Sequence, residues 1–350
     1  MNVVFRVDAS QWIGSGHVMR CLVLADALRL DGWDVYFTCL PQDGDLITTI
    51  RQNGFPVRKL NTPTEFKKPR FDGDYKSWLH RSEEEDAKDF IEVVEAADWV
   101  VVDHYGIGSD WEKQVREALS CYVLSIDDLN REHDSHLVLD QNLWPDMTLR
   151  YRKCQSQKLL GPEYALLRSS FRELKLKKAE RKNQVLAFFG GADPTQECQK
   201  LLEAASKMPS LPFNLKVVSG KLNAGHEGLL KYTSHPQIEV AQFLDKFELE
   251  LAKSKYAIGA SGVSNWERFC LGVPATIVSV ADNQRVLSKF LFQKGFVHYL
   301  GDGHDTVIST YRKELIRLQK NWHAMVPFNT LEVDGFGAQR VVDAMGEYFK

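Results

Sequence analysis

The stretch that decides the fold is VVFRVDASQWIGSGHVMRCLVLADALRLDG, residues 3–32. Residues 3–8 form a short run rich in β-branched side chains, which indicates a strand. Residues 17–31 place apolar side chains on one face at helical spacing, and Gly32 follows as a stop signal. A strand, a glycine-containing loop and a helix in this order predict the first unit of an α/β domain.

The same alternation continues through both halves of the chain. Further strands are predicted at 34–40, 99–103, 122–127, 136–141, 184–191, 215–220, 238–243, 256–261 and 275–280. Further helices are predicted near 195–208, from 264, and near 284–293. Several strand runs are continuously apolar and end in a polar residue, as expected for parallel strands that are buried on both faces. The sequence therefore predicts two similar α/β halves with a cleft between them.

The domain boundary is predicted in a charge-dense segment, residues 168–183. We interpret this segment as a connector between an N-terminal α/β domain at 1–167 and a C-terminal one at 184–350, in line with a length of 350 residues. Residues 61–81 are rich in Pro, Lys, Asp and aromatic side chains and lack periodicity. They are predicted to form a long loop or an insertion near the cleft.

The overall composition favours a protein that binds a small molecule or another protein. The formal net charge is −3, so the basic footprint of a nucleic-acid-binding protein is absent. No apolar run reaches the length of about 18 residues that a membrane span needs, and the N-terminus does not resemble a signal peptide. We therefore expect a cytoplasmic protein, and the sequence predicts no oligomeric state.

Metal and redox sites are not predicted. The six cysteines are scattered without a CxxC pair, which is typical of reduced structural thiols. His133 and His136 lack a third ligand nearby, and the DGD triplets at 43–45 and 72–74 are predicted to form turns because neither directly ends a strand. We therefore expect metal-free chemistry without a cofactor.

His17 lies in the loop GSGH at the predicted start of a helix. A dinucleotide-binding fingerprint would need glycine in place of Met19 and an acidic residue at the end of the second strand, so a dinucleotide site is disfavoured. The helix dipole disfavours a protonated imidazole at this position and attracts anions. His17 is therefore a candidate general base, and Gly14 and Gly16 are candidate substrate-binding residues. The alternative is a histidine that only occupies a helix start.

Polar side chains end two of the predicted strands close to this loop. Asp8 ends the first strand, and Asp103, His104 and Tyr105 end the strand at 99–103. Since the carboxyl ends of parallel strands meet at one edge of a sheet, these residues are expected to converge on His17. Both aspartates can orient a base or bind sugar hydroxyls, and both can equally cap turns.

Two loops of the second half have the composition of phosphate- or nucleotide-binding loops. Gly190 and Gly191 follow a strand and precede a helix, so their backbone amides can approach a ligand closely. Ser261 and Gly262 have the same placement between a later strand and helix.

Two polar pairs near these loops allow both a functional and a structural interpretation. Ser264 and Glu267 fit a capping box, and Glu267 can alternatively bind both hydroxyls of a ribose. Asn283 and Gln284 follow the strand at 275–280, where they can bind sugar hydroxyls or amides or cap the next helix. The spacing leaves these alternatives open.

A series of motifs resembles a known enzyme family. In chain order they are VDAS, IGSGHVMRCL, VVDHY, SIDDLNREH, LVLDQN, LLGPEYALLR, FFGGADP, SNWERFCLGVP and ADNQ, which cover residues from the N-terminus to about 300. The order is similar to that of UDP-2,4-diacetamido-2,4,6-trideoxy-β-L-altropyranose hydrolases of pseudaminic acid biosynthesis. That family is related to the GT-B glycosyltransferases, so the resemblance implies two Rossmann-like domains with a cleft between them.

The resemblance also implies roles for individual residues. His17 would activate a water that attacks the anomeric carbon, with inversion and without a metal, and Tyr105 would be the second catalytic residue. Asn283 would lie in the cleft. By analogy with related transferases, Glu267 would bind the ribose, and backbone groups around Phe243 and Leu244 would hold the uracil.

Three functions are compatible with the motifs: the hydrolase, a GT-B glycosyltransferase that uses a UDP-sugar donor, and a nucleotide-sugar-binding protein without catalysis. The chain lacks an amphipathic basic patch for a lipid acceptor, which disfavours the transferase. Segment 61–81 and the tail beyond residue 300 are longer than in compact members of the family. The last helix is expected to pack on the N-terminal domain, as in many GT-B proteins.

Overall fold

Parallel strands and helices alternate through both halves of the chain. A computed structural model describes residues 1–71, 73–177, 179–323 and 329–349. It divides the chain into two units, one formed by Met1–Leu167 together with Gly335–Lys350 and the other by Arg168–Asp334.

The first unit contains a seven-stranded sheet in the order β3-β2-β1-β4-β5-β6-β7, and every neighbouring pair is parallel. Its strands are β1 (Asn2–Val7), β2 (Asp34–Cys39), β3 (Val57–Lys59), β4 (Trp99–Asp103), β5 (Tyr122–Ile126), β6 (Leu137–Asp140) and β7 (Gln157–Leu160). Its first helices are α1 (Gly16–Leu30), α2 (Ile47–Gln52), α3 (Glu83–Val93) and α4 (Ser109–Leu119). The predicted strands and the predicted helix of this half are confirmed within one or two residues.

The second unit contains a six-stranded sheet in the order β10-β9-β8-β11-β12-β13, also parallel throughout. Its strands are β8 (Lys182–Phe188), β9 (Asn214–Val218), β10 (Ile238–Ala241), β11 (Ser254–Ala260), β12 (Ala275–Ser279) and β13 (His298–Asp302). Its helices are α5 (Ser169–Lys177), α6 (Glu197–Ser206), α7 (His226–Leu229), α8 (Phe247–Lys253), α9 (Val263–Cys270), α10 (Gln284–Gln293) and α11 (Ile308–Asn321).

The charge-dense segment 168–183 contains regular structure. It includes α5 and the first residues of β8, both within the second unit. Helix α5 packs against α8 and α9, and Phe171 is the one buried residue among its nine. The tail ends in α12 (Gly337–Gly346), which packs against α1 in the first unit.

The strand order places a ligand-binding position in each sheet. In both sheets the chain proceeds outward in one direction from a first strand and then restarts on its other side, between β1 and β4 and between β8 and β11. Open α/β sheets bind ligands at the carboxyl ends of the strands at such a switch point. Strand β4 is buried along its whole length, which explains its continuous apolar sequence WVVV.

In its described residues, segment 61–81 is irregular apart from one 3₁₀ helix, Tyr75–Leu79. Asp72, which belongs to the second DGD triplet, lies outside the described residues. None of the helices in the described ranges is long and apolar enough to cross a membrane.

Candidate functional site

The switch point of the first sheet holds His17 against Asp103. His17 is the second residue of α1, and Asp103 is the last residue of β4. The imidazole Nδ1 lies 2.6 Å from Asp103 Oδ1, and the Asp103 side chain is fully buried. The convergence expected for these two residues is therefore present in the fold.

Arg20 keeps the Asp103 carboxylate charged. Its guanidinium donates from Nε to Oδ2 at 2.6 Å and from Nη2 to Oδ1 at 2.7 Å. Burial raises the pKa of Asp103, but Arg20 and His17 outweigh burial and hold this pKa well below its ordinary value. Because an ionised carboxylate only accepts hydrogen bonds, His17 donates from Nδ1–H, and in the neutral imidazole Nε2 is then the atom that can accept a proton.

Tyr105 lies next to His17 and is tied to a second carboxylate. Its ring meets the imidazole edge-on, with a centroid separation of 4.6 Å. The phenol O–H donates to Asp128 Oδ2 at 2.5 Å, and the same oxygen accepts from Arg20 Nη1 at 2.9 Å. Burial, and then Asp128, raise the pKa of Tyr105 well above its ordinary value, so the phenol keeps its proton.

Asp128 and Arg20 were missed as site residues from the sequence. Asp128 follows β5 in the motif SIDDLN, so its place after a strand was a usable signal. Arg20 stands among the apolar residues of α1 and is itself 5% exposed, which a helical hydrophobicity pattern does not reveal.

Asp8 has structural partners. Its carboxylate accepts from the Leu40 amide at 2.7 Å, pairs with Arg6 at 2.8 Å, and lies 3.5 Å from His104 Nε2. Burial outweighs Arg6 and raises the pKa of Asp8, while burial lowers the pKa of His104 well below its ordinary value. These groups form a buried layer behind the edge of the sheet.

Ser10 organises the loop that precedes α1. Its hydroxyl accepts hydrogen bonds from the amides of Trp12 and Ile13, and its carbonyl accepts from the Gly14 amide at 2.8 Å. Gly14 has a φ of +77°, and Gly16 is exposed at the first position of the helix. The loop thus presents the beginning of α1 to solvent.

The switch point of the second sheet is built from backbone. Gly190, with a φ of +94°, and Gly191 follow β8 and lie against Gly220. A Cβ atom at Gly220, which has a φ of +96°, would lie 2.3 Å from the Gly191 carbonyl oxygen. Only glycine permits this approach.

The side chain of Asp193 occupies the N-terminus of α6. Asp193 Oδ1 and Oδ2 accept hydrogen bonds from the amides of Glu197 and Cys198, each at 2.9 Å. The amides of Glu197 and Cys198 are therefore already paired with the Asp193 side chain. Amides of the glycine loop itself remain candidates for a ligand.

Of the two alternatives for Ser264 and Glu267, the structure contradicts the capping box. The helix begins at Val263 with Gly262 as its N-cap, at a φ of +114°, so Ser264 lies inside the helix. Glu267 is hydrogen-bonded to the side chain of Ser264, and burial raises its pKa against the opposing charge of Arg168. The helix therefore begins two residues earlier than a capping box at Ser264 requires.

Asn283 and Gln284 begin α10. Asn283 is the N-cap residue, but its side chain makes no capping hydrogen bond, so the capping alternative is wrong. The side-chain Oε1 of Gln284 accepts from the Val280 amide at 2.9 Å, and its side-chain Nε2 lies 3.8 Å from where a Cβ of Gly262 would stand. The fold thus brings Gln284 to the loop after β11.

Phe243 and Leu244 follow β10. The ring of Phe243 is 49% exposed and lies under Lys221, whose Nζ is 3.8 Å from the ring centroid. The amide of Gly220 donates to the Gln242 carbonyl at 3.0 Å, which brings this stretch beside the Gly190 loop.

Within the described residues, no group of three His, Cys, Asp or Glu side chains has the geometry to hold a metal ion. All six cysteines are buried as free thiols, as their scattered spacing predicts.

The comparisons with known proteins start from sequence. No family model matches the chain. The chain is 27% identical over 306 residues to a protein of Campylobacter jejuni named UDP-2,4-diacetamido-2,4,6-trideoxy-β-L-altropyranose hydrolase. This similarity spans 85% of the present chain and 98% of that protein.

Solved structures share the fold along nearly the whole chain. MurG of Acinetobacter baumannii has a TM-score of 0.63 at 16% identity, over 99% of both chains. The glycosyltransferase SnogD of Streptomyces nogalater has a TM-score of 0.59 at 13% identity, over 99% of this chain and all of that one (100%). The two parallel sheets and these neighbours confirm the predicted fold class: the chain has two Rossmann-like α/β domains of the GT-B type.

Proposed function

We propose that the protein hydrolyses a UDP-sugar, with UDP-2,4-diacetamido-2,4,6-trideoxy-β-L-altropyranose as its substrate in pseudaminic acid biosynthesis. The observation that carries the proposal is the contact of His17 Nδ1 with the buried, ionised Asp103, because it leaves Nε2 of His17 to accept a proton. The motif resemblance and the 27% identical relative support the choice of substrate.

In this proposal, His17 acts as the general base. A water oxygen attacks the anomeric carbon of the sugar while Nε2 takes the water proton, and the bond between that carbon and the UDP oxygen breaks. UDP leaves with the bonding electron pair, and attack opposite the leaving group inverts the anomeric configuration. Asp103 stabilises the imidazolium as it forms. Positioned general bases of this kind contribute about 10²–10⁴ in rate, and the proposed reaction needs no metal.

The geometry restricts the role of Tyr105. Its O–H is committed to Asp128, so a ligand meets a phenol oxygen that can accept a hydrogen bond but has no second proton to donate. Tyr105 therefore serves to orient the attacking water or a sugar hydroxyl beside the ring of His17. A role as general acid is excluded while the Asp128 contact persists.

The second unit is proposed to bind the nucleotide. Backbone amides of Gly190, Gly191 and Gly262 would contact the diphosphate, where fixed donors stabilise the charge that develops on UDP. The Ser261 amide already donates to the Val278 carbonyl at 2.9 Å, so Ser261 would contribute its side chain. Glu267 would bind the ribose, and the backbone at Phe243 and Leu244 would contact the uracil. Asn283 and Gln284 would bind the polar groups of the sugar.

The test is UDP release by the purified protein, in EDTA, from several UDP-diacetamido-trideoxy sugars in ¹⁸O-labelled water. We expect release from the altro isomer, with the label in the free sugar. Label in UDP would place the cleaved bond at phosphorus and contradict the mechanism. Binding without release from any isomer would contradict the hydrolase.

A GT-B glycosyltransferase is the second candidate. The same His17–Asp103 pair could deprotonate an acceptor hydroxyl in place of water, and both solved structures described above share the fold. This candidate predicts UDP release only after an acceptor is added, whereas the hydrolase releases UDP without one.

A further inference from the structure

Segment 61–81 brings two aromatic side chains onto the His17 site. The ring of Trp78 lies 5.8 Å from the ring of Tyr105 at an angle of 24°, and 6.1 Å from the imidazole of His17. Tyr75 packs against Trp78 and Tyr105 at centroid distances of 4.8 and 5.1 Å. Trp78 thus adds a large apolar ring to the surface beside the proposed base.

Trp78 belongs to the 3₁₀ helix Tyr75–Leu79, and contacts on both sides hold this helix in place. The next residue, His80, accepts a hydrogen bond from the Lys67 amide at 2.9 Å and contacts the Gln42 side chain at 3.1 Å. Gly106 allows the close approach on the other side, since a Cβ there would lie 2.7 Å from the Tyr75 carbonyl oxygen. Trp78 is therefore positioned before any ligand binds.

The buried charges of the first sheet anchor the end of the segment. Arg81 donates to Asp86 at 2.9 Å and to Asp89 at 2.7 Å, and Asp86 also accepts from Arg6 of β1 at 2.9 Å. These charges are almost completely buried, so the bonds are costly to break. The segment is joined to the same strand that leads into the His17 loop.

Trp78 has the chemistry of a sugar-contacting residue. It is only partly buried, and its indole N–H has no hydrogen-bond partner within the described ranges. An aromatic face packs well on C–H groups, whereas a hydroxyl placed on it loses its hydrogen bonds to water. Pockets combine such apolar walls with a few polar groups that fix orientation, here His17 and Tyr105.

We propose that Trp78 contacts the sugar and determines specificity, by favouring a sugar whose exocyclic carbon is a methyl group over one with a hydroxymethyl group. This inference rests on the proposed function, in that the ligand of the site is a nucleotide sugar. It assigns a role to the long segment 61–81 that neither the motif series nor the relatives supply.

The test compares two UDP-sugars that differ only in that group, methyl against hydroxymethyl, on the wild type, Trp78→Ala and Trp78→Phe. The wild type is expected to prefer the methyl sugar by about 10- to 100-fold in kcat/KM, the range that one such group supplies in an apolar pocket. In Trp78→Ala most of this preference disappears through a higher KM for the methyl sugar, while the affinity for UDP alone stays within about twofold of the wild type. Trp78→Phe is expected to keep an intermediate preference.

Phe71→Ala is the matched control. Phe71 belongs to the same segment but is 62% exposed and has no ring contact with the His17 site. It is expected to keep the wild-type preference. A Trp78→Ala protein with unchanged preference and KM overturns the proposal. If Trp78→Ala fails to fold by thermal melting, Trp78→Phe decides: a preference equal to the wild type overturns the proposal.

Calorimetric binding of the two intact UDP-sugars separates this inference from the hydrolase. If the wild type releases no UDP, the proposed hydrolysis fails. A difference in Kd between the two sugars that Trp78→Ala removes would still support the role of Trp78. Equal Kd values for both sugars in the wild type would overturn it.

Discussion

The two units share a strand order, but different chemical groups form their switch points. In the first unit, polar side chains meet: His17, Asp103, Arg20 and Asp128 are joined by hydrogen bonds of 2.6–2.9 Å. In the second unit, glycines with positive φ bring backbone segments together. Both sheets thus place loops at the same topological position, and the residues of those loops determine whether charged side chains or backbone groups are presented there.

The largest expected effect is on the first switch point. Asp103→Asn should lower kcat by about 10²–10⁴, because His17 loses the carboxylate that fixes its tautomer and stabilises its protonated form. UDP affinity should change little. Steady-state UDP release and calorimetry measure both quantities.

Asp26→Asn is the control for this substitution, since Asp26 is half-buried on α1 and pairs only with Arg29 among the described residues. It should keep the wild-type kcat. An Asp103→Asn protein with wild-type kcat would show that the carboxylate takes no part in the reaction.

Gly220→Ala should disrupt the second switch point. The new methyl group would collide with the carbonyl oxygens of Gly190 and Gly191, and the φ of +96° adds strain. We expect the free energy of unfolding to fall by about 3 kcal/mol or more, as at other overpacked and strained positions. We also expect weaker UDP binding. Chemical denaturation and calorimetry measure these changes.

Gly32→Ala is the matched control, because Gly32 has a φ of +82° and no neighbour within 4 Å. This substitution should lower the free energy of unfolding by only about 1–2 kcal/mol, which is the strain of the backbone conformation alone. Equal losses at the two glycines would contradict the close approach at Gly220.

The stability of the first unit should depend on pH through His133. Burial lowers the pKa of His133, but the carboxylates of Asp127 and Glu112 outweigh burial and raise it to about 9. Because the folded pKa lies above the ordinary value of 6.5, this stability is fully present below pH 6.5 and is lost as the pH rises to about 9. The loss should amount to roughly 3 kcal/mol.

Denaturant unfolding at several pH values tests this expectation, with His133→Gln as the comparison. The variant should be less stable at pH 6 and should show a flatter dependence between pH 6.5 and 9. The same slope in both proteins would assign the pH dependence to another group.

The smallest expected effect concerns Glu267. Glu267→Ala should weaken UDP binding by about tenfold, the loss of one hydrogen bond to a charged group, while the melting temperature stays close to that of the wild type. A lower melting temperature with unchanged UDP affinity would instead assign Glu267 a purely structural role.

The sequence predicted most of both sheets because buried parallel strands are continuous apolar runs. The edge strands β3, β7 and β13 were missed, since Val57–Lys59 and Gln157–Leu160 are short and carry exposed polar residues. His17 and Asp103 were both candidates, but Asp8 was a candidate on the same grounds, since it also ends a strand. Only the fold shows that Asp8 faces Arg6 and Leu40.

The remaining site residues depend on contacts between distant parts of the chain. Arg20 and Asp128 are 108 positions apart, and Trp78 reaches His17 from an aperiodic segment. No local pattern encodes such pairs. The capping box at Ser264 was wrong for a related reason: a serine three residues before a glutamate also occurs inside a helix, and the N-cap is decided by the backbone of Gly262.

The most direct test of the account is UDP release by wild type and His17→Asn, with UDP affinity measured on both proteins. The account predicts that the variant loses turnover by at least about 10²-fold while its UDP affinity stays within a few-fold of the wild type, because the nucleotide contacts are assigned to the second unit. Turnover that survives in His17→Asn would contradict the role of His17 as the base. A large loss of UDP affinity would contradict the division of roles between the two units.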